Sequence, residues 1–348
     1  MKVIIPMAGE GTRMRPHTHT KPKPLIEFAG KSCLSHILDE VKIFDDKQKE
    51  LAAKKKKNSA VSEIIFITGR LQDKIEDFVK KNYDFKVRFI EQKVKDGSAG
   101  AVRLAAKFID EPVIVIYVDT VFEVDLDEIN QLSGDESGII WAKTVEDYQR
   151  FGVCVLDNDG YISKIVEKPK EPISKKANIG LYYTKDYKEL FEGIDYIFDN
   201  GISLKGEYYL VDAFNYMIET KGAKIRCPEV EGWYDAGKPE TILESNRELL
   251  KKGRDRVIPT ENSVIIPPVY IADGVKIKDS VIGPYVSISA GSEITNCIIH
   301  DSIIGVNSKI RDVLLGQSVV GDNVEISDNP KQLNLGDHSV VSFGEKKQ

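Results

Sequence analysis

Cysteine is scarce in this chain, and its spacing does not suit the sites that cysteines usually build. The 348 residues contain four cysteines, with no Cys-x-x-Cys pair and no metal-ligand spacing: Cys33, Cys154, Cys227 and Cys297. Scattered cysteines of this kind are typical of structural thiols in a reducing compartment. The sequence therefore indicates neither a disulfide framework nor a cysteine-based metal site.

Long apolar runs and an excess of positive charge are also absent. No apolar run reaches the ~18 residues that a membrane span needs, and the N-terminus leads into a strand-like segment without a signal-peptide pattern. The formal net charge of −6 argues against general affinity for nucleic acid or for an anionic membrane. We therefore expect a cytoplasmic protein whose polyanionic ligands, if any, bind at a local basic site.

The N-terminal stretch has the composition of a phosphate-binding segment. The apolar run Val3–Ile5 predicts a short buried strand, and a small-residue loop with two glycines follows it up to Arg13. Glycine lets backbone N–H groups approach an anion closely, and a guanidinium donates several hydrogen bonds to phosphate oxygens. Lys21 and Lys23, in a Lys-Pro-Lys-Pro run, add two further cations.

Two common nucleotide-binding motifs do not fit this loop. Met14 stands where the dinucleotide fingerprint requires its third glycine. The Gly-Lys-Ser/Thr ending of a P-loop is also missing. We therefore interpret the stretch as a phosphate-binding loop of another class.

The strands predicted for the first 250 residues are rich in β-branched residues and alternate with helical patterns. Examples are the segments 63–67, 87–90 and 112–118. This alternation is typical of a parallel sheet covered by helices, and such sheets bind ligands at the carboxyl ends of their strands. We expect a Rossmann-like α/β fold with a mixed, mainly parallel sheet. The lysine-rich segment 45–58 is interpreted as a solvated helix or a mobile insertion, because the chain as a whole is acidic.

From about residue 262 the apolar pattern changes to a repeat of five or six residues. The repeating positions are Ile271, Ile277, Ile282, Ile288, Ile294, Ile299, Ile304, Ile310, Leu315 and Val320. A helical period does not produce this spacing, whereas a β-solenoid does. The hexapeptide form of 282–287 resembles the left-handed parallel β-helix, with room for four or five coils up to about residue 343. The predicted domains are thus 1–250, a linker at 251–261, and a β-helix at 262–348.

Two aspartates are placed to bind a metal ion near the phosphate loop. Asp119 follows an apolar strand, where an unpaired buried carboxylate would be costly, and Asp235 lies in a Trp-Tyr-Asp-Ala-Gly run. Mg²⁺ is a hard cation that binds one or two carboxylates together with phosphate oxygens. We therefore expect Mg²⁺ at this pair, although a turn or a helix cap is the simpler alternative for each aspartate taken alone.

Together these residues resemble the sugar-1-phosphate nucleotidyltransferases, or nucleotide-sugar pyrophosphorylases, and within them the glucose-1-phosphate thymidylyltransferase-like members. The opening stretch is similar to the family signature, in which a glycine-rich loop and an arginine precede Pro-Lys-Pro-Leu, here at 22–25. The resemblance covers about residues 1–250. It implies catalytic roles for Arg13 and Lys23, and metal-binding roles for Asp119 and Asp235.

The resemblance also implies binding residues for two substrates. Those for the nucleotide are Ala8, Gly9, Gly11, Thr12, Gln92 and Gly97. Those for the sugar phosphate are Gly152, Glu167, Lys168, Asn178 and Gly180. The implied reaction transfers a nucleoside monophosphate from a triphosphate to a sugar 1-phosphate and releases pyrophosphate. Transfer from dTTP to glucose 1-phosphate is expected first, with UTP, ATP and GTP as alternatives because one glutamine does not decide the base.

Two departures from the family pattern accompany these matches. Ala8 stands where many members have glycine. Val118 precedes Asp119 where glycine is usual, which restricts the conformations of the backbone beside the expected metal. Neither departure removes a charged group that the chemistry needs.

Two other functions remain open at this stage. Left-handed β-helices often host acetyl transfer, and His300 lies within the coils, so the chain could be a bifunctional enzyme or a solenoid acyltransferase. A subunit that binds nucleotide-sugars without turnover is the second alternative. In each case the apolar coils favour packing against another copy, so we expect a homo-oligomer with no nucleic-acid or membrane partner.

Overall fold

The computed structural model describes residues 1–53 and 60–328, which fall into two compact units. The first unit is Met1–Gly253, and the second begins at Arg254. Residues 54–58 of the lysine-rich segment and the β-helix expected beyond residue 328 lie outside the described residues. Within the described ranges, no helix is both long enough and apolar enough to cross a membrane.

The first unit alternates strands and helices along the chain. Its strands are β1 (Lys2–Pro6), β2 (Glu27–Phe28), β3 (Lys31–Ser32), β4 (Glu63–Thr68), β5 (Val87–Glu91), β6 (Val113–Ile116), β7 (Thr120–Glu123), β8 (Glu136–Thr144), β9 (Gly152–Leu156), β10 (Ile162–Glu167), β11 (Lys176–Thr184), β12 (Lys224–Arg226) and β13 (Gly232–Asp235). Its α-helices are α1 (Cys33–Ala53), α2 (Gln72–Asn82), α3 (Ser98–Arg103), α4 (Tyr187–Asp199), α5 (Leu210–Lys221) and α6 (Pro239–Leu249). Short 3₁₀ turns include Thr12–Met14, Lys23–Leu25 and Tyr148–Arg150.

A mixed nine-stranded sheet organises this unit. Its main path runs β10-β9-β11-β6-β1-β4-β5, and β8 joins β11 to β12. Strands β6, β1, β4 and β5 are parallel to one another, whereas β11 is antiparallel to β6, β8 and β9. All six residues of β4 and all four of β6 are buried, as a strand covered on both faces requires. The α/β fold class predicted from the sequence is confirmed.

Helix α1 extends further than its apolar spacing suggests. The helical pattern weakens after Phe44, yet α1 runs to Ala53 and takes in the start of the lysine-rich segment. Two polar side chains of this part are buried and bonded: Asp45 Oδ1 accepts from the Val61 amide, and Gln48 Nε2 donates to Asp127 Oδ1. The described part of the lysine-rich segment therefore packs against the unit and is only partly solvated.

The second unit is a solenoid of parallel strands. Its strands are β14 (Val264–Ile265), β15 (Val269–Ile271), β16 (Lys276–Lys278), β17 (Val281–Ile282), β18 (Val286–Ile288), β19 (Glu293–Thr295), β20 (Ile298–His300), β21 (Ile303–Ile304), β22 (Lys309–Arg311), β23 (Leu314–Gly316), β24 (Val319–Val320) and β25 (Glu325–Ser327). They form three four-stranded sheets, each taking every third strand. Each strand pairs in parallel with the equivalent strand of the next coil, as expected of the predicted left-handed β-helix.

The interior of the solenoid contains the repeating aliphatic residues. Nine of the ten repeating positions named from the sequence are buried, and Leu315 packs against them half-buried. Each of these side chains stacks on the equivalent residue of the next coil, as Ile277, Ile294 and Ile310 do along one sheet. Coil stability therefore depends on contacts between neighbouring coils.

Replacement of one stacked isoleucine tests this arrangement. Ile310→Ala leaves a cavity in a fully buried position, so we expect a loss of about 3 kcal/mol from the free energy of unfolding. Arg311→Ala, on the exposed face of the same strand, is the matched control and is expected to cost less than about 1 kcal/mol. Urea unfolding followed by circular dichroism measures both; equal losses would contradict the interior position of Ile310.

Candidate active site

The loop after β1 is held in place by one hydrogen bond to the end of β4 and by short-range hydrogen bonds of its own. The Met7 amide donates to the Ile67 carbonyl, which keeps the start of the loop beside the end of β4. Gly11 adopts a left-handed conformation (φ 61°), and its carbonyl accepts from the Met14 amide and from the Thr18 hydroxyl, each at 2.9 Å. The buried Met14 side chain anchors this short turn, so that Arg13 projects outward from it.

Lys23 is brought to the same place by a second 3₁₀ turn. The Leu25 amide donates to the Pro22 carbonyl at 2.9 Å, and Pro24 and Leu25 are buried. The side chain of Lys23 lies against Gly11 and ends 3.9 Å from Asp119 Oδ2. The two cations that the sequence places ten residues apart therefore both line one cavity, beside a carboxylate.

The two aspartates lie next to each other because β7 and β13 pair. In this antiparallel ribbon Thr120 is opposite Asp235, and the Ala236 amide donates to the Asp119 carbonyl at 2.9 Å. The side chain of Asp119 is 49% exposed, and that of Asp235 is 26% exposed. Asp235 Oδ1 accepts from the Gly237 amide at 2.6 Å, and Arg150 Nη2 lies 3.4 Å from Oδ2.

Cys33 is a buried thiol that interacts with the charges of these carboxylates. Burial raises the pKa of Cys33 to about 12, and Lys23 offsets this only in part. The Sγ–H group donates to the Val118 carbonyl at 3.3 Å. Val118 itself is buried, so the bulky residue that replaces the usual glycine is accommodated in the interior.

Gln92 and Gly97 lie at the far end of the phosphate loop's cavity. The Gln92 amide nitrogen of the main chain donates to the Thr68 carbonyl, which extends the pairing of β4 and β5. Gly97 has φ +105°, and a Cβ there would overlap the main chain of Tyr208, so only glycine fits this close approach. The Tyr208 carbonyl in turn accepts from the Ala99 amide, which joins this turn to the segment before α5.

The sugar-phosphate residues inferred from the sequence form a second group. Asn178 Nδ2 donates to the Gly152 carbonyl at 2.7 Å, and the buried Tyr182 hydroxyl donates to Asn178 Oδ1 at 2.5 Å. Burial raises the pKa of Glu167, although Lys168 lies 3.1 Å from its Oε1 and partly offsets the rise. These contacts fix an amide and a carboxylate at the wall of one cavity.

Two adjoining cavities contain all fifteen residues inferred from the sequence. The first, about 530 Å³, is lined by the loop after β1, Lys23, Gln92 and Gly97. The second, about 750 Å³, is lined by Gly152, Glu167, Lys168, Asn178, Gly180 and Asp235. Arg13 and Asp119 line both. A molecule in each cavity would therefore meet its neighbour beside the Arg13 guanidinium and the Asp119 carboxylate.

Comparison with known proteins shows the family of this chain. The sequence profile of the nucleotidyl transferase family matches residues 2–252. This chain belongs to the nucleotidyl transferase family. Its relatives include the bifunctional protein GlmU of Methanocaldococcus jannaschii, which is 32% identical over 96% of this chain and 81% of its own length.

Two further similarities cover most or nearly all of the chain. The glucose-1-phosphate thymidylyltransferase of Streptomyces antibioticus is 29% identical over 99% of both chains. The crystal structure of a UDP-glucose pyrophosphorylase complexed with UDP-glucose has a TM-score of 0.56 over 72% of this chain and 98% of its own, at 22% identity. The latter likeness shows the shared fold.

Several cavity residues of this nucleotidyl transferase were not inferred from the sequence. Tyr117, Glu207 and Arg150 are among them; the first two line both cavities and Arg150 lines the second. Arg150 bonds to Asp147 and faces Asp235. The sequence signal that could have indicated Arg150 is its position two residues before Gly152. Glu207 accepts a hydrogen bond from the Tyr209 hydroxyl, which itself accepts one from Lys168. Glu207 is therefore linked to the Lys168 ammonium group through Tyr209.

The carboxylate pair fits a hard divalent cation. Asp119 keeps an exposed carboxylate whose nearest ion-pair partner, Lys23, is at 3.9 Å, longer than a hydrogen bond. Asp235 is adjacent and presents its second oxygen to the same cavity. Among the described residues no cluster of three or more acidic, histidine or cysteine side chains could hold a metal, so substrate oxygens would have to supply the other ligands.

A half-buried carboxyl that feels the charge of Glu167 is expected to make the stability of the unit depend on pH. Burial and the nearby Glu167 charge raise the pKa of Asp212 from 3.8 to about 6. The folded chain therefore keeps a proton that the unfolded chain has lost, so stability declines as pH rises from about 4 to 6 and is constant above.

Asp212→Asn removes this cost. We expect the free energy of unfolding of the variant to exceed that of the wild type by about 1 kcal/mol at pH 8 and to equal it near pH 4. The difference at pH 8 is smaller than the full pKa shift implies, because water partly screens the group. Urea unfolding at both pH values measures the difference. Asp77→Asn, on the exposed face of α2, is the control and should change stability little at either pH; a larger gain of Asp212→Asn at pH 4 would contradict the assignment.

Proposed function

We propose that this nucleotidyl transferase makes nucleotide-sugars. It would transfer a nucleoside monophosphate from a triphosphate to a sugar 1-phosphate and release pyrophosphate. The observation that supports this is the pair of adjoining cavities, which share Arg13 and Asp119 between a phosphate loop on one side and the Glu167–Asn178 group on the other. Two substrates held in this way react at the boundary that the cavities share.

The reaction needs no covalent intermediate with the protein. A sugar phosphate is already anionic at neutral pH, so one of its oxygens can attack the α-phosphorus directly, and the bond to the β-phosphate breaks. The protein's contribution is to bring two polyanions into line and to neutralise their charge. Arg13 and the loop amides would bind the departing pyrophosphate, and Lys23 would offset charge at the reacting phosphates.

The sugar phosphate would be positioned by the second cavity. Glu167 would accept hydrogen bonds from sugar hydroxyls, and Lys168 would bind the phosphate. Asn178 is already oriented by Tyr182 and by the Gly152 carbonyl, so its contact with a hydroxyl would cost little further ordering. Arg150, which lies near Asp235, adds a cation on this side.

We propose that Asp119 and Asp235 hold Mg²⁺. When bound, such an ion would supply Lewis-acid polarisation of the reacting phosphate. Lys23 and Arg150, which now face these carboxylates, would then be available to the phosphates. Isothermal titration of the protein with a preformed complex of Mg²⁺ and a triphosphate tests the assignment. Asp119→Asn should weaken binding of this complex, and unchanged affinity would contradict the metal site.

The most specific form of the proposal is transfer from dTTP to glucose 1-phosphate. The thymidylyltransferase relative, which aligns over nearly its whole length, supports this choice. UTP, ATP and GTP are the alternatives. Pyrophosphate release from each of the four triphosphates with glucose, glucosamine and mannose 1-phosphates would identify the pair with the highest kcat/KM.

Arg13→Ala tests the catalytic assignment. Loss of one group that stabilises developing phosphate charge typically lowers the rate by about 10²–10³, so we expect at least that loss in pyrophosphate release with the fold retained. Arg15→Ala is the matched control, because Arg15 is paired with Glu10 at 3.3 Å and lines neither cavity. Near-wild-type turnover of Arg13→Ala would refute the mechanism.

Acetyl transfer by the β-helix is the second candidate function. The GlmU relative is described as bifunctional, and this chain covers 81% of its length. His300 lies on the outer face of β20, where its ring stands over Gly316 of the next coil. Incubation with acetyl-CoA and glucosamine 1-phosphate, followed by assay of free thiol, decides whether this activity is present.

We also propose that the β-helix joins two copies of the chain. The outward side chains of one sheet form an aliphatic strip along the coils: Val264, Val281, Ile298 and Leu314. Leu314 is 73% exposed. The outer face of the sheet β16-β19-β22-β25 instead carries ion pairs between coils, such as Lys276–Glu293 at 2.8 Å. An exposed aliphatic strip suits pairing with its own copy, because the contact removes the apolar surface of both strips from water.

A charge placed in the strip tests self-association. Ile298→Glu is expected to lower the molar mass found by light scattering to that of a single chain, because a buried unpaired carboxylate is costly. Thr295→Glu on the charged sheet is the matched control and should leave the mass unchanged. A wild-type chain that is already monomeric, or a dimeric Ile298→Glu variant, would refute this interface.

A further inference from the structure

The side-chain amide of Gln92 is held in one orientation by two acceptors. Its Nε2 donates to Asp96 Oδ1 at 3.0 Å and to the Gly97 carbonyl at 3.2 Å. An amide nitrogen has two hydrogens, so these two bonds use both of them. Because neither a carboxylate nor a carbonyl oxygen can donate, turning the amide over would place its oxygen against two acceptors.

The other end of the same amide is left for a ligand. Gln92 is nearly buried and lines the first cavity, and its Oε1 accepts no hydrogen bond from the described residues. Gln92 therefore presents an acceptor and no donor to whatever occupies the cavity. A glutamine whose amide is free to turn could present either its oxygen or its nitrogen to a base edge. Gln92 can present only its oxygen.

Asp96 owes its position to two features of the main chain around α3. A Cβ on Gly100 would overlap the Asp96 carboxylate, so the glycine in this helix makes room for it. The Asp96 carbonyl accepts from the Tyr208 amide at 2.8 Å, which fixes the backbone at the same residue. Asp96 does not line either of the two cavities, so it acts through Gln92 and not on a ligand.

We propose that Asp96 is a positioning residue that sets the base class of this enzyme. With Nε2 bound to Asp96, Gln92 accepts a hydrogen bond from a base whose pairing edge carries a ring N–H group. Thymine, uracil and guanine have such a group. Cytosine and adenine present a bare ring nitrogen there, which would face the Oε1 lone pairs without a hydrogen. The proposal rests on the nucleotide-sugar function above and narrows its substrate.

The expected discrimination between triphosphates follows from the cost of leaving the Gln92 Oε1 acceptor without a hydrogen bond. A site built to pair one donor rejects an analogue that lacks it by a large factor, because the buried acceptor then loses its partner. We expect kcat/KM for dTTP to exceed that for CTP and for N3-methyl-dTTP by at least about 10²-fold. N3-methyl-dTTP is the sharper probe, since it differs from dTTP only at the donor.

Variants of Asp96 separate positioning from a structural role. In Asp96→Leu one Nε2 hydrogen is released and can be donated to a ring nitrogen, so the dTTP-to-CTP ratio of kcat/KM should fall at least tenfold. The change should appear mainly in KM for the triphosphate, with KM for glucose 1-phosphate unchanged. Asp96→Asn keeps an acceptor oxygen and should retain the ratio within about threefold. Gly100→Ala, which displaces the carboxylate from the other side, should reproduce the loss of selectivity.

The experiment measures both pyrophosphate release and nucleotide binding by titration calorimetry, for dTTP, UTP, GTP, ATP, CTP and N3-methyl-dTTP. Equal use of CTP or N3-methyl-dTTP by the wild type, or unchanged ratios in Asp96→Leu and Gly100→Ala, would overturn the proposal while leaving the transferase function intact. If no triphosphate gives pyrophosphate with any sugar phosphate, the proposed function fails. The binding ratio of dTTP to N3-methyl-dTTP then still decides the role of Asp96.

Discussion

The antiparallel pairing of β7 with β13 holds the charged centre of this molecule together. Four residue pairs set its register, and the bond from the Ala236 amide to the Asp119 carbonyl extends it, so that the two aspartates lie side by side although they are far apart in the sequence. A slip of one residue would turn Asp235 to the opposite face of the ribbon. The contacts that Lys23 and Arg150 make with this pair therefore depend on that register.

The parallel part of the sheet explains why the phosphate loop reaches the same centre. Strands β1 and β6 are neighbours and run in the same direction, so the segments that follow them leave the sheet at one edge. The loop carrying Arg13 follows β1, and Asp119 follows β6. These two residues line both cavities, and further walls are added by antiparallel strands, by short 3₁₀ turns and by the segments before α3 and α5.

The fold and the site differ in how far the sequence determines them. The β-helix and the buried strands could be predicted because apolar spacing reflects local geometry, as the stacked Ile277, Ile294 and Ile310 illustrate. Residues such as Glu167 and Asn178 were reached through family resemblance, and the structure places them in one cavity while their roles remain predictions. Arg150 was not found, because its importance depends on Asp235, which is distant in the sequence. Tyr117 and Asp96 were not found because no local pattern shows that Tyr117 lines both cavities or that Asp96 accepts from the side chain of Gln92.

The coil-by-coil construction of the second unit bears on how this chain can change over generations. Each strand pairs only with its equivalents in the adjacent coils, and each interior isoleucine stacks on the same neighbours. A coil can therefore be duplicated or deleted without a compensating change in the sheet of the first unit. The length of the solenoid is a property that evolution can adjust one repeat at a time, while the register of β7 with β13 allows no such freedom.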